Sequence, residues 1–194
     1  MTKEELRKIY LEKRKLLTPF SLEVDNKLIL DNFFNYDSFH FSEVSYMHLF
    51  LPIKNKMEVN TFVILERIHV EFPNIKIALS KSNFSDCSMQ FFEYTDNTKF
   101  EENEYGIPEP TGGVIIQPEQ LDLVVVPLLV IDEYGNRIGY GKGFYDRFLA
   151  TCRPDCKKVG ISFEEPVARI NPDKFDVPLN FCVTPKAVFD FRKL

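Results

Sequence analysis

Leu121-Asp-Leu-Val-Val-Val-Pro127 is followed, after three residues, by Ile131-Asp-Glu-Tyr-Gly-Asn-Arg-Ile-Gly-Tyr-Gly-Lys-Gly-Phe-Tyr-Asp-Arg147. Residues 121–126 are nearly all apolar, the pattern of a strand buried on both faces in a parallel sheet. Pro127 has no N–H for a ladder and ends the strand. The glycine-rich run therefore starts beyond a strand's carboxyl end, the edge at which open α/β sheets bind ligands. Four of the chain's eight glycines, Gly135, Gly139, Gly141 and Gly143, lie there within nine residues. Glycine lets the backbone take φ > 0 and bring successive N–H groups close to an anion. Lys142 adds a mobile positive charge, and a helix starting near Gly143 aims its positive end at the same place. These features predict a phosphate-holding loop. A purely structural glycine turn is the alternative. Against it stands the crowding of Arg137, Lys142 and Arg147 with Asp132 and Asp146, a mixture that suits nucleotide phosphates and Mg2+. The run is neither a Walker loop, because Gly143 follows Lys142, nor a dinucleotide fingerprint, because Phe144 holds the third glycine's place.

Outward from this centre, strands and helices alternate. Thr2 and Glu5 form a capping box that opens a helix over residues 2–17, with Leu6, Ile9, Tyr10, Leu16 and Leu17 on its apolar side. Lys3, Arg7 and Arg14 share another side, which by spacing alone reads as a solvated basic face. Thr18-Pro19 starts a second helix, through about residue 34. Strands are predicted at 44–51, 75–79, 87–94, 157–163 and 180–184, and helices at 59–72 and 144–152. Residues 95–113 are polar and rich in Gly and Pro, and are expected to form a long loop. This order predicts a three-layer α/β/α domain with a mostly parallel, Rossmann-like open sheet, one domain over residues 1–194.

Composition is that of a globular chain: 44% hydrophobic and 27% charged. A net charge of −5 disfavours non-specific nucleic-acid binding, so no nucleic-acid partner is expected. No apolar run is long enough to span a bilayer, and the first residues lack a secretory pattern, so a cytoplasmic location without membrane association is expected. Cys87, Cys152, Cys156 and Cys182 are scattered and read as ordinary thiols; His40, His48 and His69 form no pattern. The 19 phenylalanines read as compositional bias.

Residues 135–146, Gly-Asn-Arg-Ile-Gly-Tyr-Gly-Lys-Gly-Phe-Tyr-Asp, closely resemble the signature of the 5-formyltetrahydrofolate cyclo-ligase family. Lys3-x-x-x-Arg7, Glu58-Val-Asn-Thr61, Ile107-Pro-Glu-Pro110, the 121–127 strand, Phe175-Asp-Val-Pro-Leu179 and Val183-Thr184 follow in the family's order, so the resemblance covers nearly the whole chain. It implies ATP-dependent closure of 5-formyltetrahydrofolate to 5,10-methenyltetrahydrofolate with release of ADP and phosphate, by a monomer whose partner is this small-molecule substrate. Leu128 and Ile131 stand where the family often has Gly and Phe, which implies a tighter approach to the loop.

The resemblance also implies roles. Lys3 and Arg7 become ATP-phosphate ligands, which reverses the solvated-face reading for those two residues. Arg137, Ile138, Gly139, Tyr140, Gly141, Lys142, Gly143, Phe144 and Tyr145 form the ATP loop, with Tyr140 through Phe144 also near the folate. Lys142, with Arg137 and Tyr145, is expected to be catalytic, and Asp146 and Asp176 to hold Mg2+. Leu51 and Glu58 belong to the folate pocket, where an ionised, acceptor-only carboxylate suits the donor-rich pterin edge. The alternative is a folate- or nucleotide-binding protein of the same fold that has lost turnover. Retention of Arg137, Lys142, Asp146 and Asp176 argues against it.

Overall fold

The computed structural model describes residues 1–193. Two helices come first, α1 (Lys3–Lys15) and α2 (Pro19–Phe34), each opened by a threonine box. In α1 the Thr2 hydroxyl accepts from the Glu5 N–H at 3.2 Å, while the Glu5 carboxylate accepts from the Thr2 N–H at 2.8 Å. There follow β1 (Tyr46–Leu49), α3 (Phe62–Glu71), β2 (Lys76–Asn83), β3 (Ser88–Glu93), β4 (Phe100–Glu102) and β5 (Pro108–Pro110). The second half holds β6 (Leu123–Pro127), β7 (Val130–Ile131), β8 (Arg137–Ile138), α4 (Phe144–Thr151), β9 (Lys157–Ile161), β10 (Phe181–Val183) and β11 (Val188–Asp190).

Seven strands form the central sheet in the order β11-β10-β9-β6-β1-β2-β3. The inner five run parallel, and β3 and β11 close the edges antiparallel. Along β6, Leu123 and Val125 join the core built by α2 and α3, whereas Val124 and Val126 join the one built by α4. Alternate residues of a strand face opposite ways, so these helices cover opposite faces, as the three-layer expectation requires. Strand order reverses between β1 and β6: the chain moves from β1 outward to β2, then returns to the other side of β1 for β6, β9 and β10. The carboxyl ends of β1 and β6 therefore flank the crevice in which such sheets take ligands.

The phenylalanines have a structural use. Phe33, Phe39 and Phe181 are fully buried, and rings of Phe33, Phe34, Phe39, Phe41, Phe72 and Phe181 meet at centroid distances of 5.1–6.2 Å. Each fully buried ring of this kind contributes about 1.5–3 kcal/mol over leaving it exposed. Helix α1 lies apart from this core. Its Leu6 and Tyr10 pack on Leu129, Val130, Ile138 and Ile170, which seats the helix on the β7–β8 hairpin.

Four expectations are corrected. Strand β2 runs to Asn83, beyond the predicted 79, because its polar half Ser80–Asn83 is held by pairing with β3 rather than by burial. The predicted loop 95–113 contains the β4–β5 hairpin, in which Pro108 and Pro110 are tolerated because the hairpin is only two-stranded. The glycine run is itself folded back as β7–β8, with Gly135 at φ +84° in the turn, where a Cβ would fall on the Leu179 carbonyl. Strand β11 was not anticipated; its three half-buried residues carry no alternation to read. The four cysteines are free thiols.

Candidate active site at the switch point of the sheet

A cavity of about 610 Å³ opens between the carboxyl ends of β1 and β6, within the size range of small-molecule sites. The residues to which the family resemblance assigns a role all reach its wall. Lys3 and Arg7 come from α1, Leu51 and Glu58 from the segment after β1, Arg137 through Gly143 from β8 and the loop beyond it, Phe144, Tyr145 and Asp146 from the first turn of α4, and Asp176 from the segment before β10.

One end of the cavity is ionic. Arg137, whose side chain is only 6% exposed, donates from Nη2 to Asp146 at 2.8 Å and from Nη1 to the Val177 carbonyl. Lys3 donates to Asp173 at 2.6 Å and also to Asp176, which in turn accepts the Asp173 N–H at 2.8 Å. Burial works to raise the Asp176 carboxyl, but hydrogen bonds from Lys3 and the Asp173 N–H, with the charges of Lys3 and Arg137, hold it below its ordinary value. Burial also works against the Lys3 ammonium, and its bonds to Asp173 and Asp176 raise it nonetheless. Arg7 donates from Nε to the Gly139 carbonyl at 3.0 Å, and its guanidinium lies so close to Gly141 (φ +91°) that a Cβ there would meet it at 3.0 Å. Glycine at 141 thus admits a cation beside the loop as well as the turn itself. Lys142 is exposed, and no hydrogen bond or ion pair holds its side chain among the described residues. The uncapped N-terminus of α4, starting at Gly143 (φ +73°), faces the same end.

The other end is a closed polar network. The Glu58 carboxylate accepts the Ile53 N–H at 2.7 Å and the Tyr140 hydroxyl at 2.8 Å. Burial raises the Glu58 carboxyl despite these bonds and the nearby charges of Arg14 and Lys56. Burial first, then the Glu58 charge, push the Tyr140 phenol well above its ordinary value, so it stays a donor at neutral pH. Tyr145 is raised by the same two causes; its ring packs beside His48 and Phe148 while its hydroxyl faces Ser80.

Two residues expected to share the ionic end do not. Asp132 is fully buried, and its carboxylate accepts the N–H groups of Tyr134, Asn136 and Ile170 and the Asn136 side chain, so it fixes the β7–β8 turn. Arg147 points back at the Lys142 and Gly143 carbonyls. Asp146 and Asp176 both border the cavity, and each is paired with a cation. Among the described residues no cluster of three or more metal-type ligands occurs. Two carboxylates beside a phosphate-type site fit Mg2+, which commonly takes one or two carboxylates together with phosphate oxygens.

The sequence reading missed the cavity's far wall. Phe84, at the tip of the β2–β3 hairpin, packs on Tyr105 (centroids 4.3 Å) and on Phe144 (5.1 Å). Glu109 of β5 accepts the Ser82 N–H at 2.8 Å and ties the β4–β5 hairpin to β2. Asp173, Lys56 and Met89 line the cavity as well. Nothing local marks these residues, because aromatic and polar side chains at hairpin tips look the same whether or not a cavity lies beneath them.

Comparison with known proteins agrees with this geometry. The profile of the 5-formyltetrahydrofolate cyclo-ligase family matches residues 1–185. The 5-formyltetrahydrofolate cyclo-ligase of Mycoplasma genitalium is 26% identical over 93% of this chain and 96% of its own length. That of Escherichia coli K12 is 32% identical over 56% of this chain, an alignment that spans 62% of the relative. The solved structure of Aquifex aeolicus 5,10-methenyltetrahydrofolate synthetase superposes with a TM-score of 0.83 at 27% identity, over 99% of this chain and 94% of that one. On the profile match across nearly its full length, the chain belongs to the 5-formyltetrahydrofolate cyclo-ligase family of enzymes.

Proposed function

We propose that the chain closes 5-formyltetrahydrofolate to 5,10-methenyltetrahydrofolate, with ATP and Mg2+, releasing ADP and phosphate. The observation that carries this reading is one cavity with two unlike ends, an ionic end and a carboxylate end, joined by the 137–145 segment. A formamide oxygen leaves poorly. Transfer of the terminal phosphoryl group to it makes it a good leaving group; the folate N10 then attacks the formyl carbon, phosphate departs with that oxygen, and the N10 proton is lost.

The chain's part is positioning and charge stabilisation. Lys3 and Arg7 bind the phosphates, and Lys142, whose side chain has no hydrogen-bond or ion-pair partner among the described residues, moves onto the transferring group. Arg137 orients the loop, and Tyr145 closes the wall beside Glu58. Asp176 and Asp146 would hold Mg2+, which would supply further charge neutralisation at the phosphates, while Lys3 and Arg137 would turn to phosphate oxygens. Glu58 and Leu51 take the pterin, the carboxylate as acceptor and the leucine as apolar contact. The reading includes a monomer acting in the cytoplasm, where ATP and reduced folate occur together, with no nucleic-acid or membrane partner; no described helix is long and apolar enough to cross a membrane.

The test is the growth of methenyltetrahydrofolate absorbance from 5-formyltetrahydrofolate, measured with and without ATP and Mg2+. Growth that needs both supports the reading. No growth from folded protein, with folate binding retained by calorimetry, would replace it with a binding protein that does not turn over.

A further inference from the structure

Arg14 shares the basic side of α1 with Lys3 and Arg7 but does not reach the cavity. It is only 9% exposed, with its guanidinium turned inward. Nη2 donates to the Leu128 carbonyl at 2.7 Å and Nη1 to the Tyr140 hydroxyl at 3.2 Å. Tyr140 donates onward to Glu58 at 2.8 Å, and the second Glu58 oxygen accepts the Ile53 N–H at 2.7 Å. An unbroken line of hydrogen bonds therefore runs from α1, through the glycine loop, to the segment after β1.

The direction of that line is set by chemistry. A guanidinium only donates, and it stays charged in proteins. A phenol has one hydrogen. With Arg14 donating into the Tyr140 oxygen, that hydrogen has one remaining acceptor on the line, the Glu58 carboxylate. Glu58 thereby accepts that hydrogen, and it borders the cavity. Leu128 contributes its carbonyl, so the anchoring of Arg14 uses the main chain just beyond β6 and tolerates a leucine there.

We propose that Arg14 is a positioning residue for the folate end of the site: it directs the Tyr140 proton to Glu58 and so fixes Glu58 as the acceptor that selects an N–H-rich ring edge. This rests on the reading of Glu58 as the pterin acceptor. The groups facing Glu58 are Arg14 from α1, Lys56 from its own segment, Tyr140 from the glycine loop and Tyr145 from α4. Of these, Arg14 alone both carries a fixed charge and sets the direction of the line.

The experiment compares wild type, Arg14→Gln, Arg14→Lys and Tyr140→Phe in steady-state assays across pH. Glutamine can donate or accept and leaves the Tyr140 proton undirected. Arg14→Gln is expected to raise KM for 5-formyltetrahydrofolate about tenfold, the scale for losing a charge-assisted bond, with KM for ATP unchanged within twofold. The acid limb of kcat/KM for the folate should move to higher pH, because Glu58 loses a nearby positive charge and takes up a proton more readily. Arg14→Lys, a pure donor, should restore part of both. Tyr140→Phe should reproduce the folate-specific shift while leaving the Arg14 bond to the Leu128 carbonyl in place, and it carries the test if Arg14→Gln does not fold. Equal rises in both KM values, or an acid limb that does not move in either Arg14→Gln or Tyr140→Phe, would overturn the inference. An active wild type with such unaffected variants sinks this inference alone, whereas a wild type without turnover sinks it together with the reading of the site.

Discussion

The two ends of the cavity solve opposite problems with similar residues. At the ionic end, Lys3, Arg137, Asp146, Asp173 and Asp176 are paired with one another, and Lys142 has no partner among the described residues. At the carboxylate end, Arg14, Tyr140, Glu58 and the Ile53 N–H form a line that is already complete. The first arrangement can exchange partners: an incoming polyanion replaces the carboxylates around the cations, most readily at Lys3, where the partner Asp173 is exposed. The second resists exchange, because breaking a buried charged network leaves an unsatisfied partner. A mobile end suits the group that is transferred and leaves; a fixed end suits the ring that must be held while it reacts. Removing a residue from the first should therefore change turnover, and from the second, folate affinity.

The largest effect expected from breaking the contrast is at Lys142. Lys142→Ala should lower kcat by two to three orders of magnitude, from about 2.7–4 kcal/mol of lost transition-state stabilisation, with thermal stability unchanged because nothing in the fold holds that side chain. Stopped-flow or steady-state absorbance measures the rate, and calorimetric melting the stability. A near-wild-type rate would remove Lys142 from the chemistry. Next comes Glu58→Gln at the fixed end. It should weaken folate binding by about 2 kcal/mol, roughly thirtyfold, and leave ATP affinity alone, since an amide presents an N–H to ring donors. Titration calorimetry with each ligand separates the two. An equal loss of both affinities would mean the ends are coupled.

The ionic end was largely legible in the sequence and the fixed end largely was not, for a physical reason. Glycines at 135, 139, 141 and 143 with Lys142 signal a backbone need that few structural turns share, and the β-branched run before Pro127 locates that need at a sheet edge. The three-layer fold followed from the same alternation. Helical spacing puts Arg14 on the side of Lys3 and Arg7, and spacing does not reveal that its guanidinium turns in to the Leu128 carbonyl and the Tyr140 hydroxyl. The far wall formed by Phe84, Tyr105 and Glu109 depends on two hairpins whose pairing is set by distant contacts, such as Ser82 with Glu109, and not by local periodicity. Asp132 differs for a related reason: an acid among cations looks like a ligand until its three hydrogen bonds from the β7–β8 turn and a fourth from the Ile170 N–H are seen.

Beneath the cavity wall at Tyr145 lies a buried histidine, and it sharpens the contrast through pH. His48 is fully buried under Tyr145; its Nδ1 faces the Val125 carbonyl at 3.3 Å, and its Nε2 has no partner. Burial lowers its pKa to about 3, with the Val125 bond opposing. The folded protein keeps this ring neutral, while the unfolded chain protonates it near 6.5, so between these values the unfolded state binds more protons. Stability is full above about 6.5 and is lost as pH falls toward 3; the loss from pH 6.5 to 5 alone is roughly 2 kcal/mol. His48→Leu should flatten that slope in denaturant titrations at pH 5 and 7, and leave both KM values unchanged. An unaltered slope would assign the acid sensitivity to the carboxylates of the ionic end.

The smallest effect expected is the most pointed check on exchangeability. Asp173 is 79% exposed in its side chain and shares Lys3 with the more sheltered Asp176. A solvent-exposed ion pair contributes at most about 1 kcal/mol, and here a second carboxylate remains for the same ammonium. Asp173→Asn should therefore change stability by less than about 0.5 kcal/mol. It should also lower KM for ATP slightly, because Lys3 then has one competitor fewer for the phosphates. Denaturant titration and the ATP dependence of the absorbance assay measure the two effects. A stability loss of several kcal/mol would mean that the ionic end is as rigidly built as the Arg14–Tyr140–Glu58 line. Partner exchange would then not be how the proposed nucleotide enters the site.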